Sequence, residues 1–498
     1  MDGKPRLIFK AQRFGTNEWL SHDLPLRAEG PEHGVSTYAE IRATISPDLG
    51  EAIADDGRRV LQPGGTWIHI ETPDERIWTG YVHEVNPGKG AELNVTIREW
   101  LGYLDGLVFQ GRIWGVRAAP ADLVRELFAH IQSYPGGKLG ARVVGQTPVP
   151  LGTDSDDRMI AAKRALDQAV AALKAREKPR KAKAAEIKRK SAPHDRLIKA
   201  RNTHRAEATK AYEQLTKQRN PKATKEQLAA ARAVVKTRSE ATQAAREAKK
   251  REIDPLKQQL EQLRAAEETF KKPVETAREN HRKAQERARA DGGAWKALPE
   301  DTPDCWSILR DLAAETPFDF TTRTERTHSA PKLTLRIDYL RAGRAREDLV
   351  FEQGVNIVEL PEPRIPSEYA TEIIGLGAGE GESFDGSEIA MRVNVPVSDW
   401  RMRRTSVLSL PSITNKTTLR VLARREQRSL RGERELPELV VREHENCPIG
   451  SWSAGDDIYV KLHSVPHFGR ITGWFRVRTW QRIGLTRARI RLERIPDV

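Results

Sequence analysis

Residues 154–291 contain no glycine and no tryptophan, and this one stretch constrains the fold more than any other feature of the chain. It is built mainly from Ala, Lys, Glu, Gln and Arg, the strong helix formers, with Tyr212 and Phe270 as its aromatics. Asp154, Ser155, Asp156 and Asp157 provide an N-cap and an acidic first turn, both favourable at a helix N-terminus. Asp291-Gly292-Gly293 is a stop signal. Asn220-Pro221 divides the stretch into arms of similar length, 154–220 and 222–291, which predicts a helical hairpin. Each arm would reach up to roughly 100 Å at 1.5 Å per residue. Pro179, Pro193, Pro255 and Pro273 predict kinks or breaks in those arms. The candidate coiled-coil packing residues are Ile160, Leu166, Val170 and Leu173 on the first arm and Ile253, Leu256, Leu260 and Leu263 on the second. Between Leu173 and Leu197 the apolar positions thin out, so the seam is specified near the base and little beyond it.

The charge sits in the same place. The 498 residues carry 84 Lys+Arg and 70 Asp+Glu, a net of +14. Residues 154–291 hold 37 basic and 21 acidic groups, a net of +16, which leaves the remainder at −2. A basic balance ordinarily points to nucleic acid or another polyanion; here the inference applies to one segment. Its functional reading is a polyanion contact made through backbone phosphates, and its bland reading is a solvated charged helix pair with no ligand. Basic residues are not interleaved with aromatics, so a single-strand stacking platform is excluded.

The flanks read as β structure. Strands are expected at Arg6–Phe9, Tyr38–Ile45, Thr66–Glu71, Ile77–Val85 and Glu92–Trp100, then at Leu333–Tyr339, Asn356–Leu360, Glu372–Leu376, Asp457–Leu462, Gly473–Trp480 and Arg487–Leu492. Helices are expected over 119–133 and 303–316. The fold class is therefore mainly β, a multi-domain barrel- or sandwich-like body with short helices, carrying a long α-helical coiled-coil hairpin as an insertion. The expected division is a β domain over 1–118, a helix and connection over 119–153, the insertion over 154–291, a helix with strands over 292–400, and a C-terminal β domain over 401–498.

Several chemistries are excluded. No apolar run approaches the roughly 18 residues of a membrane-spanning helix, and the N-terminus lacks a signal-peptide core. Two cysteines, Cys305 and Cys447, cannot build a disulfide scaffold or a cysteine zinc site. The run GLGAGEGES at 375–383 has Glu380 or Glu382 where the dinucleotide fingerprint needs its last glycine. In 442–447, His444, Glu443, Glu445 and Cys447 gather, but Pro448 stands where a zincin helix needs its second histidine. His22, His33, His69, His83, His130, His463 and His467 show no ligand spacing. No catalytic, cofactor-binding or metal residue is assigned, and no enzymatic activity is expected.

Six stretches on the two flanks carry a resemblance: 66–82 (GTWIHIETPDERIWTGYV with Gly65), 122–140 (DLVRELFAHIQSYPGGKLG), 311–320 (DLAAETPFDF), 348–360 (DLVFEQGVNIVEL), 369–381 (YATEIIGLGAGEG) and 444–462 (HENCPIGSWSAGDDIYVKL). In this order they resemble the minor tail proteins of actinobacterial siphophages that form the tail-tip or baseplate hub. The resemblance implies an architecture akin to the hubs of contractile tails and of the type VI secretion spike. It implies a homotrimer that closes the tail tube in the virion and contacts the distal tail protein, the tape measure protein and other minor tail proteins, with roles in host attachment and DNA delivery. No appended cell-wall hydrolase is expected after the last β unit. The insertion departs from the family pattern, which runs from near Leu151 to near Asp304 through a short connection. Its partner is left open between cell-envelope polymer, DNA, an acidic tail protein and none.

Overall fold

The computed structural model describes all residues except 1–6, 73–75, 89–91, 219–221, 326–330, 360–368, 378–389, 395–401, 411–412, 414–415, 431–435, 437, 467–468, 485 and 496–498. The chain divides into two compact units, residues 1–155 with 288–498, and residues 156–287. The first unit opens with β1 (Ile8–Arg13), β2 (Trp19–Ser21), β3 (Glu32–Gly34), β4 (Glu40–Ile45) and the single turn α1 (Pro47–Gly50). It continues through β5 (Thr66–Glu71), β6 (Ile77–Pro87), β7 (Leu93–Glu99), β8 (Ile113–Gly115), α2 (Pro120–Ser133) and β9 (Arg142–Val144). The insertion is α3 (Ser155–Lys217) and α4 (Lys225–Asp291). Then follow β10 (Trp295–Ala297), α5 (Cys305–Glu315), β11 (Phe318–Glu325), β12 (Lys332–Tyr339), β13 (Ala345–Glu352) and β14 (Ile357–Glu359). The last elements are β15 (Glu372–Leu376), β16 (Ala390–Asn394), β17 (Thr405–Ser409), α6 (Lys416–Ser429), β18 (Glu438–Arg442), β19 (Asp457–Val465), β20 (Gly469–Ile483) and β21 (Arg487–Arg494). The mainly β body with a long helical hairpin is the fold class read from the sequence.

Three hydrophobic cores organise the first unit. The largest sheet runs β2-β1-β5-β6-β11-β12-β9, with β7 on β6 and β4 on β7. Alternation along β5 shows how one strand serves two cores: Ile68 and Ile70 enter a core with Phe9, Ile41, Val82 and Ile97, whereas Trp67 points into a central core. That central core is covered by α2, whose Leu123, Val124, Leu127, Phe128 and Ile131 are all buried. Pro120 starts α2 at the position where a missing N–H costs nothing. Asp304 caps α5 by accepting from Ser307 N at 2.9 Å, and its other oxygen accepts from Gly106 N at 2.8 Å.

The C-terminal sheet runs β13-β19-β20-β21-β18-β14, and a bridge between Gln353 and Ile357 brings its two ends together. Its core contains Phe351, Trp452, Phe475 and Trp480. β3, from the start of the chain, pairs with β20 through Gly34–Thr479, His33–Trp480 and Glu32–Gln481, and the His33 ring stacks on Trp480 at 4.7 Å. The junction between the sheets also holds a buried ion pair. Asp319, 1% exposed, meets Arg476 and accepts from Ala342 N at 2.8 Å, while Arg476 donates to Ala342 O at 3.1 Å. The backbone of Ala342 supports both partners of this enclosed pair, although Arg476 Nε has no hydrogen-bond partner among the described residues.

Candidate functional site

The insertion leaves and re-enters the first unit at one place. Leu151 pairs with Ala118, and β8 pairs with β10 through Trp295–Gly115, Lys296–Trp114 and Ala297–Ile113. Thr153 N donates to Gly293 O at 2.7 Å. Asp291 receives the hydroxyls of both Thr153, at 2.9 Å, and Ser155. Gly152 sits at φ +74°, where a Cβ would run into Gly115 O and Trp295 N, so this crossing admits only glycine. The Trp114 ring takes Arg112 on its face at 4.6 Å and Lys296 at 5.1 Å.

Within the hairpin, α3 and α4 run antiparallel and are matched by polar contacts at each level. Arg176 lies 5.3 Å from the Phe270 ring centre, and Arg180 Nε meets Glu267 Oε2 at 2.5 Å. Farther along, His194 Nε2 meets Glu252 Oε2 at 2.8 Å and Lys190 stands 3.7 Å from the same carboxylate. Lys249 meets Asp195 at 2.5 Å, and Arg201 donates to Ala241 O. Each step along α3 is answered by a step back along α4. Hydrogen bonding from the His194 ring is the leading cause that holds the Glu252 carboxyl below its usual range.

Of the candidate packing residues, Ile253 is buried. Ile160, Leu166, Val170, Leu173, Leu256, Leu260 and Leu263 are half-buried. Near the base the helices leave a groove of about 790 Å³ lined by Ala162, Ala165, Ala169, Pro273 and Ala277. Small side chains there leave the seam loosely filled, which is why larger neighbours keep part of their surface in water. The four prolines lie inside continuous helices. Each is within two residues of a side chain that is buried or paired with the opposite helix: Arg180, His194, Ile253 and Val274. Those contacts offset the lost hydrogen bond that a proline costs. Asn220-Pro221 lies outside the described residues. The start of α4 uses a device not singled out from the sequence, a capping box in which Gln227 N donates to Thr224 Oγ1 at 3.1 Å and Thr224 N to Gln227 Oε1 at 2.9 Å. Its signature, Thr-Lys-Glu-Gln at 224–227, was there to be read.

Charge is unevenly spread along the hairpin. Residues 188–251, the half nearer the turn, hold 19 basic and 6 acidic residues, whereas 154–187 and 252–291 together hold 18 and 15. In the base half many basic groups are answered locally, as in Arg264–Glu261, Lys271–Glu268 and Arg282–Glu279. The surplus is concentrated where carboxylates are few.

The residues with catalytic potential that were singled out from the sequence have partners or burial within the fold. Asn356 Nδ2 lies 2.9 Å from Cys447 Sγ, and burial pushes the thiol up to about 11. His444 Nδ1 accepts from Asn446 N at 3.2 Å, which engages that ring nitrogen with the backbone. Cys305 is fully buried, its thiol pushed up to about 12 by desolvation. His69 hydrogen-bonds Thr79 Oγ1 and Gln12 Oε1, and burial lowers its ring to about 3. His463 Nε2 meets Glu352 at 2.9 Å. Gly375 lies within β15, hydrogen-bonded between β16 and β17, so the glycine run begins in a sheet; 378–383 and His467 lie outside the described residues. Among the described residues no group of three or more His, Cys, Asp or Glu could hold a metal ion, and no helix is long and apolar enough to cross a membrane.

A polar cleft of about 960 Å³ in the first unit is lined by Arg336, Arg341, Arg346, Asp338 and Asp456 among others. Arg336 meets Asp338 at 2.8 Å, Arg341 meets Asp457 at 2.6 Å, and Arg346 meets Asp348 at 2.6 Å. Those arginines are engaged by carboxylates of the fold itself.

No family model and no curated protein matches the sequence. Among solved structures, the tail protein from Neisseria meningitidis MC58 aligns over 97% of this chain and 96% of its own, at 11% identity and a TM-score of 0.44. Prophage tail protein gp18 from Listeria monocytogenes EGD-e aligns over 98% and 95%, at 6% identity and a TM-score of 0.44. The E. coli c3393 protein, a type VI secretion component described as similar to the T4 tail proteins gp27 and gp5, aligns over 98% of this chain and 77% of its own, at 8% identity and a TM-score of 0.36.

Proposed function

We propose that this chain is a structural phage tail protein, a trimeric hub at the distal tail tip that closes the tail tube and anchors neighbouring tail proteins for attachment and DNA delivery. The observation that supports this reading is where the resembling stretches lie. Those at 66–82, 122–140, 311–320 and 369–381 contribute Trp67, Phe128, Phe320 and Ile373 to one core. Those at 348–360 and 444–462 contribute Phe351, Ile357, Trp452 and Val460 to another. Ordered motifs that converge on shared cores behave as the framework of one body. Arg336, Arg341 and Arg346 of its polar cleft are engaged by carboxylates of the same body.

On this reading the partners are two further copies of the chain, the distal tail protein, the tape measure protein and other minor tail proteins, and the location is the virion. Three hairpins in one hub would bring together about +48 of charge, which repels over roughly 8–10 Å unless the arms splay or meet an anion. Native mass spectrometry of the purified protein should give a three-chain species. Immunogold labelling of purified virions should mark the tail tip; label on the capsid, or on no part of the particle, would overturn the proposal.

A further inference from the structure

The outward face of α3 carries a regular stripe of lysines. Lys174, Lys181, Lys188, Lys199, Lys210 and Lys217 are all exposed. Their spacings are 7, 7, 11, 11 and 7 residues. At 100° per residue, steps of 7 and 11 turn by about −20° and +20°, so the six remain within about 40° of arc. Apart from Lys181, which meets Glu177 at 2.7 Å, none of the six has an ion pair among the described residues. The stripe spans 44 residues, about 65 Å of helix. Four of its members lie in 188–251, where the excess of 19 basic over 6 acidic residues is found.

We infer that the turn-proximal half of the hairpin is a docking surface for the phosphate backbone of double-stranded DNA. This surface belongs to the hairpin alone, whether or not the β unit is a tail hub. The four stripe lysines of that half, Lys188 to Lys217, run along about 44 Å of helix, a little more than one turn of B-form duplex at about 34 Å. The stripe's charges are lysines, point charges on flexible stems that contact phosphate without reading base edges. The duplex is favoured over a flexible polyanion because both surfaces are already stiff. Duplex DNA has a persistence length of about 50 nm, whereas a single strand or a loose polymer must be straightened at a conformational cost. Single strands are further disfavoured because the half nearer the turn offers one aromatic, Tyr212, and that ring is half-buried.

The test uses the full-length protein and a labelled 40-base-pair duplex of mixed sequence, with fluorescence anisotropy read across a salt series. Binding should weaken steeply with salt and be indifferent to sequence. The combined variant Lys188→Gln, Lys199→Gln, Lys210→Gln and Lys217→Gln should raise Kd at least tenfold and flatten the log–log salt slope by about 3–4, one phosphate contact per lysine. A control variant removes the same charge from the base half, at Lys257→Gln, Arg264→Gln, Lys271→Gln and Lys283→Gln, and should change Kd less than threefold. The four-arginine version of the stripe (Lys188→Arg, Lys199→Arg, Lys210→Arg and Lys217→Arg) should bind as the parent does, and circular dichroism at 222 nm should show the same helicity in all variants. The inference is overturned by absence of salt-dependent binding, by equal losses in stripe and control variants, or by a 40-nucleotide oligo(dT) or polyphosphate competing better than the duplex.

Discussion

In the first unit, the largest fully buried side chains include Trp100, Trp452, Phe109, Phe128 and Phe351. In α4 of the hairpin the buried residues are Thr242, Ala245, Ile253, Glu267 and Val274. The first set specifies position by interdigitated aromatic and aliphatic volume, where a misplaced strand opens cavities. The second set is too small to do that. Register there is carried by Arg180–Glu267, His194–Glu252 and Lys249–Asp195, contacts that salt weakens and that contribute little singly. The two units should therefore respond to different perturbations.

The largest effect is expected at Trp452, which is fully buried and packs edge-on against Phe351 at 5.3 Å and Trp480 at 6.0 Å. Trp452→Ala should cost about 4–5 kcal/mol. In a thermal scan the tryptophan-fluorescence transition should fall while the 222 nm signal of the hairpin keeps its midpoint; a joint fall would mean the units unfold together. Asp319→Ala comes next, at about 3 kcal/mol or more, because Arg476 is left buried without its carboxylate. Urea unfolding followed by intrinsic fluorescence measures that loss.

The third effect is a pH dependence confined to the β unit. Glu99 is 5% exposed, accepts from Ala39 N at 2.8 Å and hydrogen-bonds Thr322, and desolvation raises its carboxyl from 4.5 to about 7. Because the folded value lies above the unfolded one, this stabilisation is complete below about pH 4.5 and is lost as pH rises through about 7. The change is roughly 3 kcal/mol across that window. Glu99→Gln should flatten the fall in Tm between pH 5 and pH 8, and an unaltered slope would assign the dependence to other groups. The smallest effect is in the hairpin: Glu267→Gln should lower its helical midpoint by about 1 kcal/mol. In 1 M NaCl the parent and variant should converge, since the lost interaction is one that salt screens.

The same contrast explains what could be read from the sequence. The hairpin announced itself through composition, and Ser155–Lys217 with Lys225–Asp291 lie close to the expected arms. β5 and β15 match their expected bounds, Thr66–Glu71 and Glu372–Leu376, because apolar runs there are flanked by clear turns. Of the three-residue strands only β14 was expected, within Asn356–Leu360; β8 and β10 exist because Ile113–Gly115 meets Trp295–Ala297 across the whole insertion. β3 likewise depends on β20, more than 400 residues away in the chain. Alternation within three residues carries no signal, and only tertiary pairing defines such strands. The four prolines do not break α3 or α4, since contacts on the opposite helix, which local propensity does not register, sustain both. The lysine stripe was legible as a 7 and 11 spacing, but it stands out only once one unbroken helix is known to carry all six residues.

The neck has a consequence for how such a chain can change over generations. Thr153 and Gly293 are joined by one hydrogen bond of 2.7 Å, so everything between them is suspended from two adjacent backbone positions. A recombination event that exchanged the DNA for residues 156–290 would preserve every strand of the β unit and the Asp291 clip, provided the new segment began and ended side by side. The protein is thus a chassis with an interchangeable appendage, and an unrelated helical pair grafted at Ser155 and Asp291 would meet the same fitting.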